Sequence, residues 1–166
     1  NKVIEATWNS PAEPVSTVIN LTALNRVALK PIETGAPFPL VDLPEEARSY
    51  LKSTQQVNIK NKKITAKARE LTSSAKTEFD AVQKILTWVV DHMRFIVNPQ
   101  NYDAVYSLEQ GRGNCQNYSH LSAALMRAVG IPVRIVNGIT LKQPYDIKTG
   151  KTILTMKMAQ SRHSWI

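Results

Sequence analysis

A single cysteine among 166 residues closes several routes at once. It excludes an internal disulfide and any C-x-x-C redox pair, so cysteine usage carries no signal about redox compartment. It also leaves no second thiolate to complete a zinc shell. No apolar run approaches the roughly 20 residues of a bilayer-crossing helix, so no membrane insertion is expected. Acidic residues are scarce, 13 against 21 basic, for a formal charge of +8. Without an acidic cluster there is nothing to recommend a calcium site, and no cofactor or metal is expected. The densest basic run, 60-KNKKITAKAR-69, lacks aromatic residues between its charges. Single-stranded nucleic acid is usually gripped by stacking on such aromatics. The run reads as the solvated start of a helix, and nucleic acid is not an expected partner. The chain opens on Asn1 with neither methionine nor a signal-peptide pattern, as a processed or trimmed N-terminus does.

What is present suits one globular domain: 43% hydrophobic and 20% charged residues, enough to bury a core. The first forty residues differ in texture from the rest. 15-VSTVINL-21 and 26-RVALK-30 have strand character, and 34-TGAPFPL-40 interrupts regular structure. Residues 1–43 are therefore expected to form an arm or linker, and 44–166 the core domain. Helices follow. Pro44 and two glutamates open 44-PEEARSYLK-52. Asn61 caps a helix with Ile64, Ala68 and Leu71 on one side. Thr77 caps a third, with Asp80 at the capping-box position and a broad apolar face of Phe79, Val82, Leu86, Val89, Val90 and Met93. A fourth helix starts near Cys115 and ends at 129-VGIP-132, where Gly130 suits a left-handed cap and Pro132 blocks continuation. Strands come next: 132-PVRIVNGITL-141, then 152-TILTMKM-158 after a turn-prone loop containing Pro144 and Gly150. A last strand begins at 161-SRHSWI-166, with His163 and Trp165 on one face. Helices first and strands afterwards predict an α+β fold.

Cys115 follows two glycines, Gly111 and Gly113, which let the backbone turn sharply and approach closely. A thiol at a helix start lies near the positive end of the macrodipole, among amides without helical partners. This setting favours the nucleophilic thiolate, and the same amides can receive an oxyanion. A small buried core residue explains a free cysteine equally well, and the pattern by itself leaves both readings open. His120 lies roughly 140° around the helix from Cys115 and points away. No arginine follows to close a phosphate loop. His92 accompanies the apolar face of the third helix and reads as structural or solvent-facing. His163 begins a strand that can present an imidazole to the sulfur.

Taken together, 111-GRGNCQNYSHLSAALMRAVGIPVRIVNGITL-141 and 162-RHSWI-166 resemble the transglutaminase-like superfamily of cysteine enzymes. The resembling features are Gly113 before Cys115, the run 125-LMRAVGIPVR-134, Gly138 at the strand, and His163 with Trp165 as H-x-W. Asn114 before the cysteine and Ser164 within H-x-W are mild departures. The resemblance covers residues 44–166. It implies a papain-like core in which a helical N-terminal half carries the nucleophile at a helix N-terminus packed on an antiparallel sheet. It further implies Cys115 as nucleophile, His163 as general base and acid, and an aspartate beyond H-x-W that orients the histidine. Tyr102 and Tyr106 lie in a loop from which an oxyanion donor can come, although two tyrosines in a loop are more often packing residues. Since spoiling the acid's role in a serine triad drops turnover by about 10⁴, the chain as it stands is expected to have little activity. A strand edge at 161–166 invites pairing with a second copy. The implied function is acyl transfer or amide hydrolysis, of protease or amidase type, on a protein or peptide substrate, in a periplasmic or secreted setting. The competing function is a non-catalytic interaction domain that binds peptide or an acidic envelope polymer.

Overall fold

The computed structural model describes residues 7–10, 12–16, 35–140, 145–149, 152–156 and 161–166. The chain divides into two compact units, Asn1–Ile32 and Glu33–Ile166. In the first unit the described residues carry neither helix nor strand. The strands expected at 15–21 and 26–30 lie outside the described residues, apart from Val15 and Ser16, which are irregular.

In the second unit the caps form where their side chains direct them. Helix α1 (Glu45–Arg48) follows Pro44, which occupies the N-cap rather than the first turn, and continues as a 3-10 turn over Ser49–Leu51. The Asn61 side chain accepts the Lys63 and Ile64 amides and starts α2 (Lys62–Thr72), which buries Ile64, Ala68 and Thr72. Thr77 accepts the Asp80 amide and starts α3 (Glu78–His92). The Asp80 carboxylate pairs with Lys84 one turn on, at 2.9 Å.

The core face of α3 keeps Val89 and Met93 of the expected one, with Val82 and Leu86 packed against the core, but turns toward Ala81 and Ile85. Ala81, Ile85 and Val89 are buried, whereas Phe79 is 38% and Val90 65% exposed. Tertiary packing selected one stripe of a helix that is apolar over more than half its circumference. Helix α3 leads into β1 (Arg94–Phe95), which pairs in parallel with β2 (Arg112–Gly113). Between them lies a helix not expected from the sequence, α4 (Ala104–Gln110), capped by Asp103, whose side chain accepts the Tyr106 amide at 2.7 Å. It ends at Gly111, which takes the left-handed conformation at φ 57°. Tyr106 is therefore a helical residue, not a loop residue.

Helix α5 (Cys115–Ala128) is the centre of the unit: Leu121 through Met126 are buried without a break, and it packs on α2, α3 and α4. Its end is a Schellman motif, with Ile131 N–H donating to Met126 O, Gly130 N–H to Arg127 O, and Gly130 at φ 85°. The strand expected from Pro132 begins only at β3 (Val136–Thr140). The intervening residues are held elsewhere, because Val133 N–H donates to Tyr50 O and the Arg127 guanidinium donates to Val133 O. Strand β3 pairs antiparallel with β6 (Ser161–Trp165), and β4 (Tyr145–Thr149) with β5 (Thr152–Met156). The turn-prone stretch thus contributes a strand of its own, β4. Met158 and the burial of β5 lie outside the described residues. Helices packed against a small antiparallel sheet make the fold α+β.

Candidate active site

Cys115 is the first residue of α5 and is half-buried. Two asparagines build the turn around it. The Asn114 side chain accepts the Gln116 amide at 3.1 Å, and Asn117 Oδ1 reciprocally accepts the Asn114 amide at 3.2 Å, a capping box with amides in both roles. Not all the free amides expected at this helix start are therefore available. The Gln116 amide is taken by the cap.

The two preceding glycines serve different ends. Gly111 closes α4 in the left-handed region. Gly113 is extended in β2, and a Cβ there would fall 2.3 Å from Asn117 Cβ. The segment is anchored by its neighbours, since Arg94 N–H donates to Gly111 O at 2.8 Å and Ile96 N–H to Gly113 O at 2.9 Å.

His163 lies in the middle of β6, paired with Gly138 of β3. Its ring stacks on Trp165 at 5.6 Å between centroids, as two residues of one strand face should. Gly138 leaves room for that indole, because a Cβ at 138 would fall 2.8 Å from Trp165 Cη2. On the opposite face Ser164 is buried, and its hydroxyl donates to Asn137 Oδ1 across the strand pair.

Cys115 and His163 line two cavities together. One, of about 410 Å³, is walled by apolar side chains including Leu86, Val90, Phe95 and Trp165. The other, of about 360 Å³, has the polar side chains of Gln116, Asn137 and Arg162 in its wall. Neither contains His92, His120, Tyr102 or Tyr106. The ring of His92 stacks on Trp88 at 4.4 Å, and its Nε2 donates to Leu108 O at 2.9 Å. The ring of His120 hydrogen-bonds Tyr102 O through Nδ1. Tyr118 lines the apolar cavity, but its hydroxyl donates to Met93 O at 2.7 Å, and burial raises its pKa. Among the described residues no group of three or more His, Cys, Asp or Glu is placed to hold a metal ion, and no helix is long and apolar enough to cross a membrane.

A helical layer whose central helix begins at a cysteine, packed on an antiparallel strand pair carrying a histidine, defines a papain- and transglutaminase-like class of fold. Residues 65–166 match the transglutaminase-like superfamily, and the chain belongs to that family. It is similar in structure to a candidate cysteine protease from Cytophaga hutchinsonii, with a TM-score of 0.57 and 20% sequence identity. The match covers 79% of this chain and 40% of that one, so this chain spans about two-fifths of that protein's length. At this identity the likeness bears on fold. Comparison with curated proteins gives no match.

Proposed function

We propose that the parent protein is a cysteine-dependent amide hydrolase of protease or amidase type, with Cys115 as nucleophile and His163 as base. The observation that carries this reading is that both side chains line the same two cavities, one at the first residue of α5 and the other on β6. His163 takes the proton from Sγ, and sulfur attacks the carbonyl carbon of an amide. The Cys115 N–H receives the oxyanion, and the leaving amine takes the proton from His163 as the C–N bond breaks. Water, deprotonated by His163, then cleaves the thioester, releasing the acid and returning the thiol. An aspartate that orients His163 is expected after the H-x-W segment.

The test uses the full-length protein, with casein as a general protein substrate and site-mapped alkylation of Cys115 by iodoacetamide. Cys115→Ala should abolish release of amines from casein. His163→Ala should lower it by about 10³-fold or more, in the range of catalytic-residue losses, and should slow alkylation near neutral pH. Unchanged cleavage in Cys115→Ala defeats the reading. Ligand binding that survives Cys115→Ala, with no cleavage in the wild type, makes the protein a binding domain instead.

A further inference from the structure

Two residues after the cysteine, Asn117 has no exposed surface, and its carboxamide is engaged on every side. Nδ2 donates to Asn101 O at 2.9 Å and to Ser107 Oγ at 2.9 Å, while Oδ1 accepts the Asn114 amide at 3.2 Å. These partners fix which end of the carboxamide is which, since a carbonyl only accepts and a backbone amide only donates. Ser107, also without exposed surface, extends the chain by donating to Asp103 O at 2.8 Å. One side chain therefore joins the 101–103 segment, α4 and the residue that caps α5. The glycine at 113 belongs to the same arrangement, because a Cβ there would overlap Asn117. The bond from Asn117 to Ser107 is buried, and a hydrogen bond shielded from water in this way holds one geometry.

We propose that Asn117 is a positioning residue for Cys115. Its carboxamide fixes the Asn114–Cys115 backbone, so that the sulfur and the Cys115 N–H keep their places relative to His163. The proposal rests on the reading of Cys115 as nucleophile and adds to it a residue that never touches substrate. A neutral amide suits the task, since it supplies both the donor that Asn101 O needs and the acceptor that the Asn114 amide needs. Leucine, of similar volume, supplies neither.

The experiment measures the second-order rate of iodoacetamide alkylation at Cys115 in the full-length protein, between pH 5 and 9. Asn117→Leu should lower the rate at pH 7 by about tenfold, a loss in keeping with a misplaced reactive group. Adding His163→Ala to it should then change the rate by less than about twofold, because the coupling between the two sites is already lost. Asn117→Asp keeps an acceptor for the Asn114 amide and should stay closer to wild type than leucine does. Ile64→Ala, a core variant in α2, controls for stability: it should lower Tm and leave the alkylation profile in place. If Asn117→Leu does not fold, Asn117→Ala is read in the same way. A wild-type profile in the Asn117 variants, or an equal loss in Ile64→Ala, overturns the proposal. A wild-type rate indifferent to His163→Ala defeats the Cys–His pair instead, and Asn117 is then judged on leucine against wild type alone.

Discussion

Tyr118 borders the apolar cavity at Cys115, yet its hydroxyl is committed to the Met93 carbonyl. Burial raises its pKa because the phenolate would be poorly solvated there. A group whose folded pKa exceeds its unfolded value, about 10 for tyrosine, contributes stability that is present below that pH and is lost as pH rises through the folded value. Tm followed by circular dichroism from pH 8 to 11 should therefore fall more steeply above pH 10 in the wild type than in Tyr118→Phe. Tyr118→Phe should itself start lower, having lost the bond to Met93 O. At this same scale, Cys115 and His163 were legible as candidates because glycine spacing, helix onset and H-x-W are local features. Asn117 was not. Its spacing from Asn114 is that of a capping box, a visible hint. Its burial depends on Ser107 and Asn101, ten and sixteen residues away in sequence.

Helix starts were readable wherever one side chain decides them, as Asn61 and Thr77 do. Helix faces were less so. Periodicity marks α3 as apolar over a wide arc, and only packing against α2 and α5 chose Ala81 and Ile85 over Phe79 and Val90. Helix α4 was missed because its seven residues hold too few turns for a periodic signal, and Asp103 and Gly111 are its main punctuation. The late start of β3 has a specific cause. Arg127 donates to Val133 O from both Nε and one terminal nitrogen, and to Lys52 O at 2.7 Å, holding the 131–135 stretch against the 3-10 turn. Burial lowers the pKa of this guanidinium. Arg127→Met should destabilise the unit by roughly 1–3 kcal/mol, the range for leaving hydrogen-bond partners of a charged group unpaired. Urea unfolding measures it, and an unchanged midpoint would count against the role given to Arg127.

Across the whole molecule, the described helices and the β3–β6 pair belong to the unit Glu33–Ile166. Its N-terminal stretch is tied in, since Phe38 N–H donates to Lys76 O and Glu78 N–H to Ala36 O. A chain beginning at Glu33 keeps those two bonds and serves as the reference. A chain beginning at Pro44 should lose stability with those bonds. Differential scanning calorimetry of the two distinguishes them. The sequence by itself determined the α+β class, the caps at Asn61 and Thr77 and the family, and it singled out Cys115 and His163 as candidates for thiol chemistry. Each of these depends on residues close together in the chain or on a fixed motif. Only the tertiary structure decided which stripe of α3 is core, that Cys115 and His163 share two cavities, and that Asn117 is buried against Asn101 and Ser107. Those facts depend on segments far apart in sequence coming to lie side by side, and local spacing does not encode that.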